Sequence, residues 1–577
     1  MRPGPDYLKR VLAGSTFGLY MAHLLYFLNP QIEITPWRII RASILYGITC
    51  GILFGSLLWL LRILRRKLFP IHARMGRRHG FGLTVAATFF STMVFWLHTF
   101  VLRIYLPIGA VRILIKATNL IAFVAFLLLI LWVIERNATV RVSRILTCVG
   151  AGLIAVSCVV LFLRRDRYQE ESSNAPPIRI DAVTNKRPLL IVAIRDLPYD
   201  WLITLKGEER LNFFDRAIDH DFFARLEPFP TTSPKALWAS LVTGKLPHRH
   251  GVTGRFSYES FFTGSGHDGR FLILPAGVGF RVWGLLPPVR RISAQLPSGD
   301  ALPFWSAFER LGVQSSVIGW PSTNVRHNPA SFMVTETFLR QGKGGNEITP
   351  VSRNAEIAAL LRSPSSKDPS RFSQLPTPAA SVARQALAFD LSAVAIARSE
   401  LRESPRPLTV LSLGGFADVQ NSVGIDSNRL PDATSSRGRV VRAYIEELDS
   451  LLGSIEQQFP EQTIIVVSPS GPSPPAIPAH PIAVAIKVMK DDDPGVEDGF
   501  VMIHGAGMRS RPNPQPARTV DIVPTMLFIS GLPIARDMDG RILTEAFDDD
   551  FLRVHALSLI HTYEPEEAPL TSRGGRR

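Results

Sequence analysis

Cysteine is nearly absent from this chain of 577 residues, which has three. Cys50, Cys148 and Cys158 fall in or beside apolar N-terminal runs, and nothing after position 167 is a cysteine. Disulfides and thiol chemistry are therefore excluded from the larger part of the protein, whichever side of a membrane it occupies. Acidic residues are scarce in the first 167 positions, with four against 21 Lys and Arg. The rest of the chain holds 45 acidic and 43 basic residues, so the formal net charge of +15 belongs wholly to the N-terminal part. A strongly basic chain normally raises nucleic acid as a partner. The near-neutral balance of the larger part excludes that reading. Ordinary aromatic content (9%) and 44 scattered prolines exclude coiled-coil and disordered classes.

The N-terminal part instead has five long apolar runs, roughly 11–28, 42–61, 80–102, 117–134 and 145–163. Each approaches the ~20 residues that span a bilayer core as a helix. A cleaved signal peptide accounts for only the first of them. The loops between them carry the arginines. With five spans, the N-terminus, the second loop and the fourth loop share one side and carry 13 Lys and Arg, against 8 on the other side. That bias predicts a cytoplasmic N-terminus and an extracytoplasmic C-terminal domain. The spans hold almost no charge that would mark an ion path, so the bundle reads as an anchor. Its predicted partner is the membrane lipid bilayer. The domain boundaries expected are 1–165 for the membrane domain, 166–187 for a polar linker, 188–560 for an α/β domain and 561–577 for a flexible tail.

After the linker, short runs rich in β-branched residues alternate with amphipathic stretches. PLLIVAI (188–194), SSVIGW (315–320), LTVLSL (408–413), TIIVVS (463–468), IAVAIKV (482–488) and FVMIHG (500–505) suit strands covered on both faces. Residues 437–459 place Val440, Val441, Tyr444, Ile445, Leu448, Leu451, Leu452 and Ile455 on one helical stripe. Residues 519–530 read as a short helix ended by Gly531 and Pro533. The pattern predicts an α/β domain with a mostly parallel sheet and helices on both faces. The stretches 254–300 and 342–405, rich in Pro, Ser and Gly, read as irregular insertions or lids.

One segment is specific: FPTTSPKALWASLVTGKLPHRHGVTG (229–254). It places Ser233 at the start of a helix, where the hydroxyl is exposed and the helix N-terminus favours an anion. Ser also caps helices without further purpose. The segment resembles the nucleophile region of the alkaline phosphatase superfamily, in the branch of type I phosphodiesterases and sulfatase-like hydrolases. PLLIVAIRDLPYDWL (188–202) is similar to the opening strand of that family and SVIGWPST (316–323) to its second. VLSLGGFADVQNSVG (410–424) with TIIVVSPSG (463–471) resembles a metal-binding block, and GFVMIHGAGMRS (499–510) with TVDIVPTMLFISGLP (519–533) the C-terminal blocks. The resemblance covers most of 188–545 and implies an alkaline-phosphatase-like fold. It also implies two metal ions, usually zinc, that activate a Ser or Thr and clamp a phosphoryl or sulfuryl group.

The ligand positions do not follow. Where the resemblance puts the first metal carboxylate, five residues before Asp200, stands Arg195. The block Gly-x-Asp-x-x-x-His corresponds to Gly415 through Asn421, with Ala417 and Asn421 at the ligand positions. Ser-Asp-His-Gly corresponds to Ser468-Pro469-Ser470-Gly471. The final histidine is missing from 491–499, and His248, His250, His480 and His504 lack ligand spacing. A slip of one residue recovers Asp196 and Asp418 at most, and within a strand such a slip turns the side chain to the other face.

The expectation is a membrane-anchored, catalytically degenerate protein of this superfamily. It has no metal and no cofactor, and binds an envelope phosphate or sulfate ester, or a protein partner. Ser233 remains as a vestigial nucleophile position. Arg195 and Ser233 are expected to form a metal-free anion site, with Asp200, Asp196 and Asp418 as candidate internal partners of the arginine. Two alternatives stay open: an active hydrolase or phospho-group transferase with an atypical, zinc-loaded site, and an assembly or transport subunit whose membrane part does the work.

Overall fold

The structure is a computed structural model. It describes residues 5–28, 36–68, 79–100, 108–136, 139–165, 188–208, 211–229, 234–252, 256–260, 270–271, 289–293, 301–321, 323, 330–341, 347–362, 372, 377–424, 430–472, 497–511 and 513–563. By compactness the chain divides into two units, 1–174 with 247–294, and 175–246 with 295–577.

Among the described residues the first unit carries five long helices, α1 (Pro5–Leu28), α2 (Pro36–Leu68), α3 (His79–Phe100), α4 (Ile108–Arg136) and α5 (Val140–Arg165), one for each apolar run of the sequence. Stretches long and apolar enough to cross a membrane lie in α2, α4 and α5. Their outward residues are apolar, among them Ile48 and Leu53 on α2, Phe123 and Phe126 on α4, and Val156 and Val159 on α5. Exposed apolar surface on this scale is what a lipid environment accommodates, and it marks the unit as membrane-associated. Helices α1 and α2 approach closely because glycines line their seam. A Cβ at Gly18 would stand 2.2 Å from the Tyr46 carbonyl oxygen, and one at Gly55 2.6 Å from the Val11 Cα. Backbones that close gain van der Waals contact that lipid does not supply. Within 254–300, expected to be irregular, three strands pair antiparallel, with Phe256–Ser260 between Arg270–Phe271 and Val289–Ser293.

The second unit is built on nine strands: β1 (Leu189–Ile194), β2 (Phe222–Glu227), β3 (Ser315–Ile318), β4 (Phe332–Val334), β5 (Ile348–Thr349), β6 (Leu408–Leu413), β7 (Thr463–Ser470), β8 (Asp498–His504) and β9 (Ala517–Arg518). Their spatial order is β9-β2-β8-β7-β1-β6-β3-β4-β5. Only β8 and β5 run against the rest. The sheet is mostly parallel, as the apolar runs predict, and β1 and β6 are buried along their whole length. The run 482–488 lies outside the described residues.

The helices comprise α6 (Tyr199–Leu205), α7 (Asn212–His220), α8 (Pro234–Thr243), α9 (Phe304–Arg310), α10 (Glu336–Gln341), α11 (Asn354–Arg362), α12 (Thr377–Glu403), α13 (Gly415–Val423), α14 (Ser436–Gln458), α15 (Ile522–Ile529) and α16 (Asp549–Val554). Two apolar clusters form, one on each face of the sheet. One joins Val192 of β1 to α12 and α14, and the other joins Ile191 to α9 and α15. All eight residues of the predicted α14 stripe are buried, and Ser435 caps that helix by accepting from the Gly438 N–H at 2.9 Å.

The expectation of an irregular lid over 342–405 is overturned where the stretch is described, because α11 and the 27-residue α12 lie within it. Pro378 sits in the first turn, where its missing N–H costs nothing, and an Ala-rich sequence follows. Part of α12, Ala380–Glu403, is as long and apolar as a membrane span. Its Ala383, Leu387, Val394 and Ala397 instead enter the core. Its buried Glu400 is held by Arg353 and Arg406. A span facing lipid does not carry such a carboxylate, so α12 is a core helix.

At the amino-terminal side of the sheet, His504 sits between two carboxylates. Its Nδ1 lies 2.7 Å from Asp221 and its Nε2 3.0 Å from Glu456, while Arg216 pairs with Glu456 at 2.5 Å. The hydrogen bond to Asp221 raises the His504 pKa above its ordinary 6.5 against the opposing effect of burial. A raised folded-state pKa gives stability that is complete below about 6.5 and lost as pH rises through the folded value. The unfolding midpoint of the second unit is therefore expected to fall as pH rises above about 6.5 through the raised folded-state pKa. In His504→Gln that component of the pH dependence disappears, a difference that thermal unfolding followed by circular dichroism checks.

Candidate functional site

Strands β3, β6, β1 and β7 are neighbours and run parallel, so their carboxyl ends form one edge. Ligands of open α/β sheets bind outside such edges. Arg195 continues β1, its N–H donating to the Leu413 carbonyl at 3.0 Å. Asp196 then leaves the strand with φ of 62°. The backbone thus separates the two residues that sequence alignment leaves open. Arg195 occupies the ladder position, and Asp196 occupies the turn.

Leu413 of β6 is followed by Gly414 and Gly415. A Cβ at Gly414 would stand 3.4 Å from the Arg195 guanidinium carbon, so glycine there gives the arginine its room. Gly415 opens α13, and its N–H donates to Asp390 at 3.0 Å. Asp390 also accepts from the Tyr444 hydroxyl at 2.9 Å. Burial pushes the Asp390 carboxyl up to about 7 against those two hydrogen bonds. This buried bracket fixes the start of α13 and hence the position of Asp418.

Four side chains then form a chain of alternating charge. Glu336 Oε1 accepts from Arg195 Nη2 at 3.1 Å and from Arg340 Nε at 3.0 Å, and lies 2.9 Å from Arg340 Nη2. Arg340 Nη1 donates to Asp418 Oδ2 at 2.9 Å. The Arg340 guanidinium also lies 4.5 Å above the Phe389 ring. The side chains of Arg195 and Glu336 are only 20% and 19% exposed, so solvent screens their pairing weakly. Beside them is a cleft of about 280 Å³ lined by Trp320, Thr323, Glu336, Thr337, Arg340 and Gln341. Gly319, at φ 70°, makes the turn that sends Trp320 inward against Trp238, Phe304 and Trp305.

Of the predicted site residues, Arg195 stands at this edge. Ser233 lies outside the described residues, and α8 begins at the residue after it. The partner of Arg195 is Glu336, 141 residues away, rather than Asp200 or Asp418. Asp200 pairs with Arg225 at 2.8 Å, and Asp418 pairs with Arg340. Asp196 is partly buried, and its desolvation pushes the carboxyl up to about 6, with Arg195 opposing and Asp418 adding to the rise.

At the other expected ligand positions, Ala417 is buried in α13 and Asn421 is exposed. Ser468 Oγ accepts from the Leu197 N–H at 3.1 Å and donates to the Ser470 carbonyl at 3.0 Å. Glu497 sits against Gly471, where a Cβ would come within 2.6 Å of its own. Burial and the neighbouring Asp200 and Asp498 push the Glu497 carboxyl up to about 7. His250 is buried in the first unit, with Nδ1 accepting from the Val252 N–H at 3.1 Å, as a turn histidine does. Residues 491–493 and His480 lie outside the described residues. Among the described residues no three His, Cys, Asp or Glu side chains are placed to hold a metal ion. Among the described residues, Arg195, Ala417, Asn421, Pro469 and Ser470 do not supply the carboxylates and imidazoles of a dizinc donor set.

A parallel-rich sheet of this order, with its crevice at the carboxyl ends and a helix opening after Ser233, has the architecture of the alkaline phosphatase superfamily. A family model described as type I phosphodiesterase / nucleotide pyrophosphatase matches residues 199–517, more than half of the chain, and the chain belongs to that family. Similar solved structures include the alkaline phosphatase PafA, at 10% identity over 64% of this chain and 100% of that one, with a TM-score of 0.39. Murine ectonucleotide pyrophosphatase / phosphodiesterase 5 is 12% identical over 60% of this chain and 95% of its own, with a TM-score of 0.34. A phosphonate monoester hydrolase from Silicibacter pomeroyi is 11% identical over 63% and 78%, with a TM-score of 0.36. No curated protein matches the chain by sequence.

The Asp196 carboxyl provides a test of the site's electrostatics. Its folded-state pKa of about 6 exceeds its ordinary 3.8, so its contribution to stability is complete below about 3.8 and is lost as pH rises through 6. The difference corresponds to about 3 kcal/mol. Asp196→Asn is expected to remove that loss and unfold at a higher temperature than wild type at pH 7, with little difference at pH 4.

Proposed function

We propose that the protein is a membrane-anchored, catalytically degenerate member of this family. Its α/β domain binds an envelope phosphate or sulfate ester, or a protein partner, without a metal ion. The observation that carries the reading is Arg195 at the ladder position where the family resemblance puts a metal carboxylate. A cation in that place repels a second cation and attracts the anion that the metals would otherwise clamp. Ala417, Asn421, Pro469 and Ser470 support the same reading, because none of them replaces the missing ligands.

The purified full-length protein is expected to hold no stoichiometric zinc and to leave a generic aryl phosphate diester intact. Elemental analysis giving close to two zinc ions per chain, together with zinc-dependent hydrolysis, would overturn this. The atypical active hydrolase would then take its place.

Orientation follows from the loop charges. The surplus of Lys and Arg on the side of the N-terminus, taken with all five N-terminal helices as spans, puts the α/β domain outside the cytoplasm. A reporter that is active only outside the cytoplasm, fused after Arg577, is expected to give signal. Signal from a cytoplasm-specific reporter alone would reverse the topology.

A further inference from the structure

We infer that the cleft beside Trp320 is the seat of a small organic ester of phosphate or sulfate, whose oxyanion is clamped by Arg195 and Arg340 after it displaces Glu336. The inference rests on the ester-binding reading above and adds the clamp, the cleft and the displaced carboxylate.

One oxygen of Glu336 marks the anion position. Three guanidinium nitrogens from two arginines converge on it at 2.9–3.1 Å. An oxygen of a phosphoryl or sulfuryl group placed there meets charge-assisted donors from both guanidinium groups. Among the described residues, Arg195 has Glu336 as its one side-chain hydrogen-bond partner. A guanidinium has five donors, and a tetrahedral anion with several oxygens engages more of them than one carboxylate oxygen does. Glu336 belongs to a six-residue helix at the rim of the cleft. Rotation of its side chain frees both arginines without unfolding the sheet. Arg340 keeps its place meanwhile through Asp418 and the Phe389 ring.

The organic part of the ligand is set by the cleft. Its volume of about 280 Å³ is small for a ligand site, which suits a compact group. The lining pairs a buried indole, Trp320, with Thr323, Thr337 and Gln341. It therefore fits a ring-sized group bearing hydroxyls rather than a long acyl chain. The charge chain of two arginines and two carboxylates is neutral as it stands. When a ligand anion takes the place of Glu336, the arginines stay paired, so no charge is left buried alone.

The test is calorimetric titration of the full-length protein in detergent with a chelator present. Phenyl phosphate and phenyl sulfate serve as probes, with inorganic phosphate as the fragment lacking the organic group. Wild type is expected to bind at least one phenyl ester, and the preferred arm identifies the anion. Arg340→Gln is expected to weaken that binding at least tenfold. Glu336→Gln, which removes the internal competitor, is expected to tighten it severalfold. Thr337→Trp, at an exposed rim position, fills the cleft and is expected to weaken the phenyl ester but not inorganic phosphate, which also serves if Glu336→Gln fails to fold. Equal binding by wild type, Arg340→Gln and Thr337→Trp overturns the clamp and the cleft while leaving ester binding elsewhere on the domain intact. Inorganic phosphate binding as tightly as phenyl phosphate overturns the cleft's role. Absence of any ester binding by wild type overturns the ester-binding function itself and this inference with it.

Discussion

A guanidinium at the carboxyl end of a central strand must be paired, because an uncompensated charge in a weakly solvated place costs several kcal/mol. Much of the site follows from this constraint on Arg195. It explains why Glu336 reaches across from α10, why Arg340 stands beside it, and why Asp418 closes the chain. It also explains the glycine at 414, where a side chain would crowd the guanidinium. The arrangement places two guanidinium groups, each paired with a carboxylate, at the edge of the sheet. The buried Asp390–Tyr444–Gly415 bracket is what holds the second half of that chain in position.

The pairing also bears on the metal-ligand positions that the family resemblance implies. Dizinc chemistry needs carboxylates and imidazoles that converge, and the expected positions among the described residues hold other groups. Ser468 is hydrogen-bonded to the backbone that follows Arg195, Ala417 is packed, and Asn421 faces outward. The acidic groups that do stand nearby, Asp196 and Glu497, are pushed toward protonation by burial.

Much of the fold was legible in the sequence, because long parallel strands buried on both faces leave continuous β-branched runs. The runs at 188–194, 408–413 and 463–468 each became a strand of the central sheet. Shorter strands left no such trace. Phe332–Val334 and Ile348–Thr349 are too brief to show a period, and FFARLE, Phe222–Glu227, carries an arginine that pairs across to Asp498. The helix Thr377–Glu403 was hidden by the Ser- and Pro-rich sequence leading into it. Of the site, the anomaly at Arg195 was readable from its place before Asp200. Its partner was not, since Glu336 lies 141 residues away. The Glu336–Arg340 spacing reads in sequence as an ordinary i,i+4 surface pair.

The claim on which the account turns is that Arg195 and Glu336 are energetically coupled inside the domain rather than merely adjacent. A double-mutant cycle on unfolding free energy, using Arg195→Met, Glu336→Gln and the double variant, measures that coupling directly. A largely buried charge-assisted pair predicts a coupling of about 1.5–3 kcal/mol, diminishing little when salt is raised. A coupling near zero, or one abolished by salt, contradicts the account and returns Arg195 to the class of incidental surface charges.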